Sequence, residues 1–543
     1  MVSDIMQHDE KMRITKKSNI VFALVLLAYA VYAAVYIYRT SFVVGGERYF
    51  VLFDDAMISM RYARNLAHGY GLVWNPGGER VEGYTNPLWV VYMSVFHLFP
   101  IPASKMSLSI QISGAIFLIA NLFFVKKIAE RLSGSSIVAI LAVILTAFYS
   151  PLNNWGLQGM EVSVLTLMTS ASLWIALENL RLTRFTPWLY LLLGVSTLIR
   201  TDMAVPYIVI LGVLAIADRQ HRRQNLIWGI GMLAAFLAGQ TLFRLAYYGY
   251  PLPNTYYLKL GGYPFYKRVA HGLYVLFQFI WEFNWVLFLL PLSILLFRRD
   301  FSIYLLFLVF LGQIAYSVYV GGDAWEHRGG SNRYFSIVMP VFFILFTYAA
   351  DLIRRTFVEK IRYIARLAQP AANLGLVLFV LAGMVNFNFF LNTKSLERWV
   401  LLRQPIFIEG NKEYVSITRD INKTTSPDAS IAVVAAGAIP YFTDRYSLDL
   451  LGKNDVVIAH EKVHGGGGLA SVKNFRPGHM KWNYDYSIGK LKPDVVVQLW
   501  GNTEEAKAYI DKYYKIGGTG DGLDFSYRAG SPNVLWDKVI LTP

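Results

Sequence analysis

Apolar side chains recur in long runs near residues 18–39, 107–125, 136–152, 162–180, 187–200, 203–217, 225–247, 272–297, 302–320, 334–352 and 370–391. A bilayer core of roughly 30 Å takes about 20 apolar residues of helix, so these runs predict a polytopic α-helical membrane protein with about eleven transmembrane helices. A further apolar run at 88–101 is too short to span comfortably and reads as interfacial, a choice that sets the orientation of everything after it. Lys11, Arg13, Lys16 and Lys17 precede the first run as they would in a signal peptide. That run continues to Tyr38 with no small-residue cleavage site, so it reads as a retained first helix.

Beyond Leu391 no run is long enough to span. Short Val- and Ile-rich stretches at 430–435 and 494–498 read as strands and 503–514 reads as a helix, an alternation that predicts a small soluble α/β domain. The expected division is a transmembrane unit over 1–391, with a first outer loop at 40–106, and a soluble unit over 392–543. Gly465 to Gly468 read as a flexible loop, because neither a strand-to-helix context nor a P-loop lysine accompanies them.

Composition narrows the class. The chain is 55% hydrophobic and only 16% charged, too apolar for an ordinary soluble protein, and having no cysteine it has no disulfide or thiol chemistry. A net charge of +15 raises the question of nucleic acid. With 88–101 in the interface, however, the basic clusters fall in alternate short loops: Lys126/Lys127/Arg131, Arg181/Arg184, Arg219/Arg222/Arg223, Arg298/Arg299 and Arg354 to Arg366. That is topogenic charge of the positive-inside kind, which implies a bilayer partner and no nucleic acid.

The same choice places the chemically unusual loops on the outer face: the Asp54/Asp55 stretch, 156–161, the break at 200–202, 247–262 and 321–333. Adjacent carboxylates at a membrane edge cost desolvation unless something uses them. Asp54 and Asp55 are therefore the candidate catalytic pair, against the alternative of an acidic turn that caps a helix over 56–66. Glu161 stands where it either satisfies amides at a helix start or meets a sugar hydroxyl. Tyr84 and Asn86, and likewise Asn254 and Tyr256, suit sugar by stacking and amide hydrogen bonds, although Pro87 after Asn86 also marks a helix start. His460 and His479 lack metal-ligand spacing and read as loop or acceptor-surface residues.

The runs DDAMISMRYARNLAHGYGLVWNPGGERVEGYTNPLW, GMEVSVLTLM, YYGYPLPNTYYLK, GGD before NRYF, and GAIPYFTDRYSLDLLGKNDVVIAH together resemble bacterial integral-membrane glycosyltransferases of the GT-C superfamily. Within that superfamily the first loop is similar to the mycobacterial arabinofuranosyltransferase B type in its succession of DD, RN, G, N and GERVE. The resemblance implies a GT-C-like bundle in the cytoplasmic membrane, with the active site and C-terminal domain extracytoplasmic. It implies transfer of a sugar from a polyprenyl-phosphate donor to a glycan or glycolipid acceptor, with inversion and an aspartate base at the position of Asp54 and Asp55.

A carboxylate within reach of the acceptor hydroxyl is the simple base for that step, and its neighbour can raise its pKa or share a metal ion. No cofactor is implied with certainty, and a divalent cation stays open. A lipid-phosphate leaving group calls for cations, and the outer-face candidates are Arg61, Arg64, Arg200, Lys259, His327, Arg328 and Arg333, with ion pairing or snorkelling as the alternative for each. Glu82, Asp202 and Asp323 complete the expected substrate-binding set. Two rival classes stay open: a lipid-linked glycan flippase, which calls for ionisable residues near helix centres and repeated halves, and a membrane-anchored glycan sensor or scaffold.

Overall fold

The computed structural model describes residues 2–324, 326, 332–360, 365–389, 393–464, 472–520 and 522–542. The chain is a multi-pass membrane protein. Among the described residues, Lys17–Thr40, Ala103–Ser133, Val162–Leu182, Arg222–Tyr248, Phe301–Val320, Arg333–Glu359 and Gln369–Phe387 are long and apolar enough to cross a bilayer. Two further runs form bent pairs. Ser136–Ala147 turns by 54° into Ser150–Leu157, and Phe265–Glu282 turns by 103° into Trp285–Phe297. The sharper turn falls at Asn284, in the left-handed region at φ 73°, where its side chain accepts the Val286 amide and restarts the helix.

The runs at 187–200 and 203–217 are helical but short. Trp188–Ile199 has 12 residues and ends where Arg200 turns extended, at φ −156°, before a single turn of 3₁₀ helix leads into Ala204–Ala217. At about 1.5 Å per residue neither reaches across a core of roughly 30 Å alone. The 88–101 run supplies the ten-residue helix Pro87–Phe96, which starts on Pro87 and is also too short to cross.

The first loop opens with a hairpin of β1 (Phe42–Val44) and β2 (Glu47–Tyr49), continues into the helix Asp54–Ala67, and buries most of that helix's length. After the bundle comes the helix Ile408–Thr424. A six-stranded sheet follows, built of β3 (Ser430–Val433), β4 (Tyr446–Asp449), β5 (Val495–Val496), β6 (Tyr514–Gly518), β7 (Phe525–Arg528) and β8 (Ile540–Leu541), in the order β4-β3-β5-β7-β6-β8. The half β4-β3-β5 is parallel and the rest antiparallel. Because β3 leads to β4 on one side and β5 pairs on the other, a crevice opens at the carboxyl ends of these strands.

The crevice faces the first loop, and the packing between them is continuous. One buried apolar cluster contains Phe53 and Trp155 together with Ile408, Val415, Ile431 and Val495. Arg61, fully buried, joins the two parts: its guanidinium donates to the Trp74 carbonyl at 2.5 Å, Asn75 Oδ1 at 2.8 Å and the Arg445 carbonyl at 2.9 Å, and also to the Pro440 carbonyl. A guanidinium saturated by carbonyls in this way stiffens an interface and has little capacity left for a ligand.

Candidate active site

Asp54 and Asp55 are the first two residues of the helix Asp54–Ala67, where the helix dipole favours negative charge. They border a cavity of ≈ 440 Å³ enclosed by that helix start, the segments after β3, β4 and β5, Lys259 and Arg333. The two neighbours differ in what surrounds them. Asp55 accepts from Arg333 Nη1 at 2.9 Å and from Lys453 Nζ at 2.7 Å. Burial opposes its charge, but Lys453, Arg333 and Lys259 together hold its carboxyl well below the usual range. Among the described residues Asp54 meets no cation directly, and it accepts the amide N–H of Ala438 at 2.8 Å and of Gly437 at 3.3 Å. Burial, helped by the charge of Asp55, pushes its carboxyl up to about 6 against the pull of those amides.

Gly437 is the residue that permits this approach. A Cβ at 437 would lie 2.0 Å from the Asp54 carbonyl oxygen and 2.8 Å from Oδ1, so any side chain there would push the first loop away from the sheet.

Arg333 begins a spanning helix and forks onto Asp323, with Nε to Oδ2 at 2.7 Å and Nη2 to Oδ1 at 2.9 Å, while its third nitrogen reaches Asp55. It therefore holds both carboxylates at once, a task lysine cannot perform. Lys259 makes no hydrogen bond or ion pair among the described residues. Burial, then the charges of Arg333 and Lys453, push its ammonium down to about 8. A second cavity of ≈ 400 Å³ lies on the far side of Lys259, Ala324, Arg333 and Pro477, which border both cavities, and Val205, Leu252, Leu260, Tyr319 and Val320 line it. Its apolar walls and the two cations it shares with the first cavity, Lys259 and Arg333, suit a ligand with a greasy tail and an anionic head.

The remaining residues expected from sequence fall into three groups. Tyr256, Asp323, Arg200 and Asp202 border the second cavity. Arg200 is paired in the same pattern as Arg333, forking onto Asp202 at 2.6 and 2.7 Å and reaching Glu161 at 3.2 Å, but unlike Arg333 it borders only the second cavity. Glu161, Asn86, Glu82, Tyr84 and Asn254 border neither cavity. Asn86 donates to Glu161 at 3.0 Å and accepts from Ser59, Glu82 pairs with Arg244 at 2.8 Å, and the Tyr84 hydroxyl bonds that of Tyr248 at 2.8 Å. Asn254 acts at one remove, since its amide nitrogen donates to the carbonyls of Gly452, Lys453 and Asp455 at 3.0–3.2 Å and so holds the turn that carries Lys453. Arg61 and Arg64 also lie off the cavities, Arg64 on the Tyr441 carbonyl at 2.8 Å and on Asp444. His327 and Arg328 lie outside the described residues, as do Gly465 to Gly468.

Several cavity residues were not singled out from sequence: Lys453, Asn411, Gln498, Arg476 and Trp500. Lys453 and Trp500 follow the carboxyl ends of parallel strands, and this is the signal that could have found them once the α/β alternation was recognised. Among the described residues no three His, Asp or Glu side chains are grouped to hold a metal ion. The carboxylate oxygens of Asp55 and Asp323 are occupied by Arg333 and Lys453.

The bundle and its sheet-bearing domain share their fold with solved membrane-embedded structures. Among solved structures, the chain is similar to the apo oligosaccharyltransferase of Archaeoglobus fulgidus, with a TM-score of 0.58 at 12% identity over 96% of this chain and 76% of that one. It is also similar to ArnT from Cupriavidus metallidurans bound to undecaprenyl phosphate, at 0.50 and 10% identity over 78% and 85%. A third similar structure is the archaeal oligosaccharyltransferase AglB from Archaeoglobus fulgidus in complex with an inhibitory peptide and a dolichol-phosphate, at 0.53 and 11% over 96% and 76%. Residues 406–532 match a family described as Domain of unknown function (DUF8728). No curated protein matches the chain.

Proposed function

We propose that the protein is a glycosyltransferase that moves a hexose or pentose from a polyprenyl-phosphate donor to a cell-envelope glycan or glycolipid, with inversion. The observation that carries this reading is the wall of Arg333 and Lys259 between a mainly apolar cavity and one bordered by Asp54 and Asp55. The isoprenoid occupies the apolar cavity, the phosphate rests on Lys259 and Arg333, and the sugar projects toward Asp54. Similar structures that hold undecaprenyl phosphate or a dolichol-phosphate support a lipid-linked donor.

In the reaction the acceptor hydroxyl gives its proton to Asp54 as its oxygen bonds the anomeric carbon. The bond from that carbon to the phosphate oxygen breaks, and a single displacement from the opposite face inverts the centre. The phosphodiester leaves as a phosphate monoester with one more negative charge, so cations at its oxygens are worth more in the transition state than in the ground state. Asp54 suits the role of base because its carboxyl sits near neutrality, whereas Asp55 is already neutralised by two cations and serves to position them. Purified protein given a panel of polyprenyl-phosphate sugars is expected to turn over at least one donor, releasing polyprenyl phosphate and forming a product of inverted configuration. Turnover of none, or a retained configuration, contradicts the proposal.

The accompanying topology puts the basic loops in the cytoplasm and the site outside the cytoplasmic membrane. A reporter fused after Lys127 is expected to be cytoplasmic and one after Leu391 external. The opposite locations would put the site on the wrong face for this chemistry.

A further inference from the structure

The reaction cavity has a second neighbour. A shallow groove of ≈ 260 Å³ on the sheet-bearing domain shares Arg476, His479 and Trp500 with it, and continues over His464 and Trp482. The reaction cavity thus lies between two annexes reached through different walls: Lys259 and Arg333 lead to the apolar one, and Trp500 and Arg476 lead to the aromatic one. A bisubstrate transfer needs two such approaches, and the apolar annex is already assigned to the donor's lipid.

The rings of the groove are fixed in place. Trp500 donates its indole N–H to the His479 carbonyl at 2.9 Å, and its backbone is held on both sides by the Tyr484 hydroxyl, which accepts from the Trp500 amide at 2.9 Å and donates to the Trp500 carbonyl. Trp482 is stacked against His464 with ring centres 3.9 Å apart and planes 14° apart, and donates to Glu505 at 2.9 Å. Gly501 packs on the Trp482 ring so closely that a Cβ there would lie 2.7 Å from it. Trp482 is thereby packed between His464 and Gly501, while Trp500, half-buried at the junction, borders both spaces together with His479. The Arg476 guanidinium, exposed beside it, makes no hydrogen bond or ion pair among the described residues.

An aromatic ring locked by its own polar atom, with the Arg476 guanidinium, His479 and Asn474 along the same groove, fits a sugar ring. The negative face of the indole attracts the polarised C–H bonds of a pyranose or furanose, and the hydroxyls find donors at the rim. Among the described residues the groove is shallow and open, and its volume is on the scale of one sugar residue. We propose that Trp500 and Arg476 form an acceptor subsite that binds the glycan residue next to the one being glycosylated, a proposal that rests on the glycosyltransferase reading above. The acceptor is then an oligosaccharide or glycolipid of at least two sugar units, and the subsite determines acceptor length.

Two measurements on the full-length protein test it. In transfer assays, the ratio of kcat/KM for a disaccharide acceptor to that for the matching monosaccharide is expected to be large in the wild type. It should fall about tenfold in Trp500→Ala and less in Trp500→Phe, on the scale of one lost stacking contact. Arg476→Ala should lower it as well. In parallel, the wild type is titrated with di- and trisaccharides of glucose, galactose, mannose and arabinose and followed by tryptophan fluorescence. At least one should bind, with affinity lost in Trp500→Ala and partly kept in Trp500→Phe. A ratio that is flat in the wild type, or unchanged in Trp500→Ala, overturns the subsite. If no donor is turned over at all, the parent reading fails, and the titration still decides whether the groove binds glycan. Binding of peptides in place of sugars would overturn the subsite too.

Discussion

Asp54→Asn is expected to fold and insert normally and to lower transfer by roughly 10²- to 10⁴-fold, the range for removing a general base. The effect should fall on kcat with little change in donor KM, because among the described residues the Asp54 carboxylate bonds backbone amides and neither Lys259 nor Arg333. The pH profile adds an independent signature. With its carboxyl raised to about 6, Asp54 is protonated and inactive as a base below that value, so kcat/KM should fall as pH drops through about 6. Lys259, depressed to about 8, loses its charge above that value, so kcat/KM should also fall as pH rises through about 8. The profile is therefore a bell, and its alkaline limb should move upward in kcat, since a bound phosphate favours the ammonium form. Full activity in Asp54→Asn would remove it as base, and severe loss confined to Asp55→Asn would transfer the role to its neighbour.

Arg333→Ala is expected to lower donor turnover by about 10²- to 10³-fold, the scale for losing one fixed donor to a developing anion. Arg333→Lys should recover only part of this, because one ammonium cannot fork onto Asp323 and reach Asp55 at the same time. Removal of the guanidinium also leaves Asp323 without its ion-pair partner and Asp55 with Lys453 alone, which is itself destabilising. Lys259→Met separates the two causes. It orphans no carboxylate among the described residues, so the protein should fold while the KM for a lipid-linked donor rises. Unchanged donor turnover in a folded Arg333→Ala protein would reassign that arginine to structure.

The split between what the sequence could and could not reveal follows interaction range. Apolar runs of this length report a lipid environment, where backbone groups must bond within the segment, so every run of spanning or near-spanning length is helical, and the alternation after 391 returns as β3, β5 and the helix Glu504–Tyr513. Asp54 and Asp55 stood out because adjacent carboxylates are costly wherever they are placed. Sorting the cations was not within reach of local pattern. Arg61, Arg64, Arg200 and Arg333 look alike along the chain. Their roles are set by partners such as the Arg445 carbonyl 384 positions from Arg61, or Asp55, 278 positions from Arg333. Lys453 was missed for the same reason, since it meets Asp55 across 398 residues. Arg200 is the instructive exception. Its partner Asp202 is two residues away on a break in the helix, and that spacing pointed to self-neutralisation as readily as to a free phosphate ligand.

The most direct measurement is a structure of the protein with a polyprenyl-phosphate sugar bound, or the polyprenyl phosphate alone. The expected density has the isoprenoid between Val205, Leu252 and Tyr319, the phosphate oxygens within hydrogen-bond distance of Lys259 and Arg333, and the sugar in the cavity beside Asp54. A phosphate held at any other cluster, with Lys259 and Arg333 untouched, would contradict the assignment of the two cavities and of the base between them.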